Sequence, residues 1–195
     1  MGRPKLIMTV GGVTVIARVV AALRGGGVSL VVVVTPPSGA PGSDALSREA
    51  LAAGAYVLMP EVQPPDMRTS FEIGLSHLER LEAPPATVLL APADSPGMSE
   101  GLVKSVIERA RLDRESILTP SVGGRRGHPV AIPWRLALKV RELPQGLGVN
   151  ALLGLHGGAV RTFEVDDPGA VADLDTPEDY REWEGRAASS GWGGG

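Results

Sequence analysis

Cysteine is absent from the 195 residues. This removes disulfide frameworks, thiolate metal sites and cysteine nucleophiles together, and it agrees with a reducing compartment. Aromatic residues make up only 4% of the chain, so the core must rest on Val, Leu, Ile and Ala. The longest apolar run, around Val28–Thr35, falls far short of the ~20 residues of a membrane span. Gly11–Gly12 breaks the apolar stretch that would have to follow Arg3 and Lys5 in a secretory signal. A net charge of -3 gives no general pull toward nucleic acid or anionic membrane. The expectation is a soluble, cytoplasmic protein without a nucleic-acid or membrane partner. Any anion site would be a local arrangement of backbone amides and a few cations.

What is present is ordinary for a globular chain: 43% hydrophobic and 21% charged residues, at a length that buries a real core. Val13–Leu23 reads as a helix closed by Gly25–Gly26–Gly27. The valine run of Val28–Thr35 reads as a fully buried strand of a parallel sheet. A helix capped by Ser43 or Asp44 and reaching about Ala53, a strand at Tyr56–Met59 and a helix over Met67–Leu81 follow. Next come a strand at Thr87–Leu90, an amphipathic helix at Ser99–Arg111 with Ser99 as its cap, and a strand at Ser116–Thr119. Beyond Pro133 the pattern is helical, with a short helix at Val149–Leu155, a strand at Ala159–Val165 and a terminal helix at Thr176–Trp183. The tail from Ala187 reads as disordered. Alternation of helix and strand predicts a three-layer α/β domain with a mostly parallel sheet. Ligands in such sheets sit beyond the carboxyl ends of the strands.

Four segments can carry chemistry. In TVLLAPADSPGMS a strand runs directly into Asp94, where a carboxylate can hold Mg²⁺ for phosphoryl chemistry; the plainer reading is a carboxylate that steadies the turn. In GGRRGHPVAIP, glycines beside Arg125 and Arg126 make a basic loop fit for a phosphate or anionic substrate, or simply a solvated surface hairpin. His128 has no second His or Cys nearby, so a metal role for it is weak. In EVDDPGAVADLDTPEDY, Asp166, Asp167, Asp173 and Asp175 crowd ahead of a helix. Helix capping accounts for part of that cluster but not for Asp173. Asp173 and Asp175 share a face if extended, and one of them could complete a cation site with Asp94. Finally, Lys5 near the start can reach phosphates.

In order and spacing these segments resemble the MobA-like NTP transferases, and most closely the molybdenum-cofactor cytidylyltransferases. MGRPKL is similar to the end of the family's signature L-A-A-G-x-S-x-R-M-G-x-P-K-L, and VGGVTVIARVVAALRGGGV to the segment after it. PPDMRTSFEIGLSHL resembles the family's Ser-containing helix start, with Ser70 at the matching place. APADSPGMS resembles its Asp-x-Pro metal motif, and RRGHP with DLDTPEDY its cytidylyltransferase branch. The resemblance implies a Rossmann-like α/β/α domain over residues 1–186, followed by the tail 187–195. It implies attack by an acceptor phosphate on the α-phosphate of CTP or GTP with release of pyrophosphate, the acceptor being a molybdopterin-type cofactor or another phosphorylated metabolite. Lys5 and Asp94 would be catalytic. Asp94 with Asp173 or Asp175 would hold Mg²⁺, and Arg3, Ser70, Arg126, Gly127 and His128 would line the nucleotide and acceptor sites.

The chain departs from the family pattern in two places. Ala93 stands where glycine is common before the Asp. The family's first strand and glycine loop would precede Met1. Without them the sheet is expected to show a gap and unpaired backbone beside the valine run, and much nucleotide affinity would go with the loop amides. Two readings stay open: a native start upstream of Met1, or a non-catalytic binding module.

Overall fold

The computed structural model describes residues 5–174 and 176–189. Arg3 and Asp175 lie outside them. A hairpin, β1 (Thr9–Val10) and β2 (Val13–Thr14), precedes the first helix. Its turn is Gly11–Gly12, with φ of 58° and 79°. Two successive positive φ values are what a type I′ hairpin turn requires, and Val13–Thr14, expected as the start of the first helix, form the second strand of that hairpin instead.

Helix α1 (Val15–Gly25) buries Val15, Ile16, Val19, Val20, Ala22 and Leu23. After it come β3 (Val32–Val34), α2 (Ser43–Ala52) and β4 (Tyr56–Leu58), then α3 (Met67–Leu78) and β5 (Thr87–Leu90). Helix α4 (Glu100–Leu112) is capped by Ser99 as expected, its hydroxyl accepting from the Leu102 amide at 3.0 Å. Ser43 does not cap α2. Gly42 holds that position with φ of 79°, and the Ser43 hydroxyl donates to the Pro36 carbonyl instead. The remaining elements are β6 (Ile117–Val122), β7 (Arg125–Arg126), β8 (Val130–Pro133), α5 (Trp134–Ala137), α6 (Asn150–Leu155), β9 (Val160–Glu164) and α7 (Pro177–Ser189). The last helix runs beyond the expected end at Trp183.

The strands sort their side chains by parity onto two apolar layers. From β6 and β8, Leu118 and Ala131 pack with α1, α2 and α4, while Ile117, Val130 and Ile132 pack with Leu75 of α3 and with Leu136, Val140 and Leu152. This is the three-layer α/β/α, Rossmann-like arrangement expected. Each fully buried aliphatic side chain in it contributes about 1.5–3 kcal/mol. The sheet itself is mixed where a mostly parallel one was expected. β9 is parallel to β6, but β8 is antiparallel to both β5 and β6. The cause is the connection: β6 returns through β7 and a short turn into β8, and without a crossover helix the chain must reverse.

The sheet is also in two pieces. Among the described residues β3 pairs only with β4, and β5 only with β8. Tyr56 donates its N–H to Val31 at 2.8 Å and Thr35 donates to Leu58 at 2.9 Å. The odd-numbered residues of β3 therefore bond toward β4, and Val32 and Val34 present their amides to the other edge. Among the described residues nothing pairs with that edge, which is the open backbone expected beside the valine run. Consistently, Val32, Val33 and Val34 are half-buried rather than fully buried. No helix among the described residues is long and apolar enough to cross a membrane.

Candidate active site

Asp94 stands four residues past the end of β5, in the turn that leads into α4. The ammonium of Lys5 is bonded to its carboxylate. Lys5 opens a short 3-10 turn that leads into the β1–β2 hairpin. The C-terminal helix pins that hairpin: the Tyr180 hydroxyl donates to the Thr9 carbonyl at 2.8 Å, and the Gly11 amide donates to Glu184 at 2.9 Å. Val10, Val15, Leu174 and Trp183 close the contact as a small apolar cluster of their own. The β1–β2 hairpin and the segment around α7 are thus packed together next to Lys5.

The segment preceding α7 completes the arrangement. The Leu174 amide donates to the Asp94 carbonyl at 2.9 Å, and the buried Ser95 hydroxyl donates to the Asp173 carboxylate at 2.7 Å. Asp173 is thereby tied beside Asp94. Asp167 is built into the frame instead: it accepts from the Gly169 amide at 2.9 Å and from the Ser99 hydroxyl, joining the acidic segment to the cap of α4. Between these bonds the two backbones touch. A Cβ on Gly169 would lie 1.9 Å from the Gly97 carbonyl oxygen, so no other residue fits without moving the backbone. Capping of α7 falls to Thr176, whose hydroxyl accepts from the Asp179 amide at 3.1 Å.

The basic loop meets the same segment. Gly127 donates to the Pro120 carbonyl at 2.8 Å, and the His128 amide donates to the Ala170 carbonyl at 2.7 Å. A Cβ on Gly127 would sit 2.3 Å from the Ala170 oxygen. His128 is held in this way with its imidazole half-buried within the field of both carboxylates. Burial pushes its pKa below the ordinary value of 6.5, while Asp173 and Asp94 pull it the other way. Arg125 and Arg126 stay exposed on the hairpin tip. Glu164 anchors that tip, accepting from the Ser121 hydroxyl at 2.7 Å and from the Gly123 amide, bonds that hold its carboxyl below the usual range.

Of the residues singled out from the sequence, the fold brings Lys5, Asp94, Asp173 and His128 together, with Gly127 as the point where the loop meets the acidic segment. Ser70 stands in the first turn of α3, where its hydroxyl donates to the Asp66 carbonyl. Arg126 is on the adjoining hairpin. Arg3 and Asp175 fall outside the described residues. Sequence reasoning misses Ser95, Gly97 and Gly169. A serine directly after Asp94 and a glycine three residues after Asp166 are the available signals, but only the contact between two distant segments gives them meaning.

Chemically, the group offers two adjacent carboxylates, one ammonium, one imidazole and two flanking guanidiniums. Among the described residues no three His, Asp or Glu side chains converge as a closed metal cage. A Mg²⁺ that shares its coordination with phosphate oxygens and water needs only one or two carboxylates, so the donor set fits such an ion. The Asp94 carboxylate carries the Lys5 ammonium.

Residues 1–160 match the MobA-like NTP transferase domain. No curated protein matches the chain. Among solved structures, a nucleotidyl transferase from Methanothermobacter thermautotroptrophicus superposes with a TM-score of 0.78 at 21% identity, over 95% of this chain and 86% of that one. Rv0371C from Mycobacterium tuberculosis, in complex with manganese, gives 0.72 at 22% identity over 94% and 93%. The 2-C-methyl-D-erythritol 4-phosphate cytidylyltransferase from Thermus thermophilus gives 0.66 at 22% over 95% and 94%.

Proposed function

Because the chain belongs to the MobA-like NTP transferase domain family, we propose that it transfers a nucleotidyl group, CMP or GMP, from CTP or GTP to a phosphorylated acceptor, with a molybdopterin-type cofactor as the favoured one. The observation that carries the reading is the Lys5–Asp94 pair beside Asp173, at the carboxyl end of β5.

An oxygen of the acceptor phosphate attacks the α-phosphorus of the nucleotide. The bond from that phosphorus to the bridging oxygen of the β-phosphate breaks, and pyrophosphate leaves with the electron pair. Lys5 neutralises the phosphates and steadies the charge gathering on the leaving group. Asp94 and Asp173 would hold Mg²⁺, which when bound supplies charge neutralisation to the phosphate oxygens. Arg126 and His128 on the hairpin side orient the acceptor phosphate, and Arg3 and Ser70 are assigned to the nucleotide. Asp175, two positions after Asp173 in the sequence, is the alternative second carboxylate.

A second acceptor class is favoured by one observation: the fold is shared with a cytidylyltransferase whose acceptor is an erythritol phosphate. The test is pyrophosphate release with CTP and GTP in turn, Mg²⁺ present, against a molybdopterin-type acceptor and a panel of sugar and polyol phosphates. Transfer to the pterin with one base supports the reading. Transfer confined to a polyol or sugar phosphate moves the acceptor assignment. No nucleotide binding by calorimetry supports a non-catalytic binding module instead. Asp94→Asn is expected to lower turnover by about 100-fold or more, since removing one group that stabilises charge in a transition state costs on that order. Unchanged turnover in that variant would remove Asp94 from the mechanism.

A further inference from the structure

Lys5 and the proposed metal compete for one carboxylate, and this has a consequence for the order of loading. The ammonium bonds Asp94 directly, in a site where the lysine side chain is 38% and the aspartate side chain 24% exposed. Both are open enough for exchange with solvent ions. A divalent cation on the same oxygens would face the ammonium at close range, where like charges repel strongly. Lysine has a flexible four-carbon stem and a point charge, so it can leave one anion for another without backbone movement. The nucleotide triphosphate supplies the other anion.

We propose that Lys5 is a displaceable counter-cation. In the absence of nucleotide it neutralises Asp94 and keeps the metal affinity low. When the triphosphate arrives, the ammonium transfers to its oxygens and frees the carboxylate, so that metal and nucleotide load together. Asp173 stays in place throughout, because the buried Ser95 hydroxyl holds it. The arrangement guards the site against filling with metal alone. This inference rests on the function proposed above, in that Asp94 is taken as a metal ligand.

The experiment is Mn²⁺ titration of the whole chain without nucleotide, read by electron paramagnetic resonance and calorimetry, in the wild type, Lys5→Met, Lys5→Arg and Asp94→Asn. Far-ultraviolet circular dichroism checks that each is folded. Lys5→Met is expected to bind Mn²⁺ about 2- to 5-fold more tightly than wild type, the factor set by release of an ion pair at this exposure. The same variant is expected to bind CTP more weakly. Opposite signs for two ligands of one site are not produced by general damage to the fold. Lys5→Arg, which keeps the charge, should stay near wild type for Mn²⁺. Equal or weaker Mn²⁺ binding by Lys5→Met, or no measurable binding in either protein, overturns the proposal. Asp94→Asn separates the two ideas: if it binds Mn²⁺ as wild type does, the metal assignment itself falls, whatever Lys5→Met shows.

Discussion

β6 and β8 bury nearly every residue they contain, prolines and hydroxyls included, whereas β3, three consecutive valines, leaves all three half-exposed. By composition the order should be the reverse. The difference lies in neighbours: among the described residues β6 is flanked by β8, β7 and β9, while β3 has β4 alone. Apolar side chains determine what a strand is able to bury, and the strands beside it determine what it does bury. The five-stranded part of the sheet also carries the hairpin with His128 and the strand that runs on to Asp94. The better-supported half therefore positions Asp94 and His128, two of the residues assigned to chemistry.

The contrast can be broken at several depths. The largest effect is expected at Ile117, fully buried in β6. Ile117→Ala should cost about 3 kcal/mol of unfolding free energy in a urea titration, against about 1 kcal/mol for Val33→Ala in β3, where half-buried methyl groups are lost. Equal costs would mean that the two halves are packed alike. Next, Gly169→Ala forces the Gly97 backbone away and should cost about 2 kcal/mol. It should also weaken Mn²⁺ binding, since Asp173 hangs on the displaced segment; intact metal affinity would show that this contact does not set the site. A finer comparison lies within β3 itself. Amide exchange followed by NMR should be faster at Val32 and Val34 than at Val33 and Thr35, because only the latter bond toward β4. Uniform protection along the strand would show that the open edge is covered in solution. The smallest effect concerns His128. Its folded pKa lies below 6.5 through burial, so as the pH falls below about 6.5 the unfolded chain takes up a proton before the folded one does, and stability declines. His128→Gln should flatten that part of the profile. Asp173 and Asp94, which face the imidazole, limit the size of the decline.

The order of helices and strands is legible because each rests on local signals: the apolar spacing of α1 and α4, the Ser99 cap and the valine run. What stays hidden depends on partners. The antiparallel placement of β8 follows from the tight return through Gly123–Gly124, a distinction between two neighbouring strands that periodicity does not carry. Ser43 marks the right helix start but in the wrong role, since its hydroxyl is used by Pro36, seven positions back. The site is legible as a set of residue types in order. Lys5, Asp94 and His128 emerge that way, and Asp173 stands out because capping leaves it without a purpose. Its tether to Ser95 does not, because nothing local in the sequence links two residues 78 positions apart. Ser70 is selected by resemblance alone, and its hydroxyl serves its own helix turn.

That same separation gives the protein a timetable. The 78 positions between Ser95 and Asp173 take about 4–16 s to synthesise at ordinary elongation rates. Throughout that interval the growing chain carries Asp94 without the segment that frames it. The hairpin at Gly11–Gly12 waits longer still, since Tyr180 and Glu184 arrive later. A polypeptide released after Glu164 but before Asp173 has the strands β1 to β9 but no assembled site. Competence for the proposed chemistry is thus acquired only after Asp173 and the helix that follows it have been made.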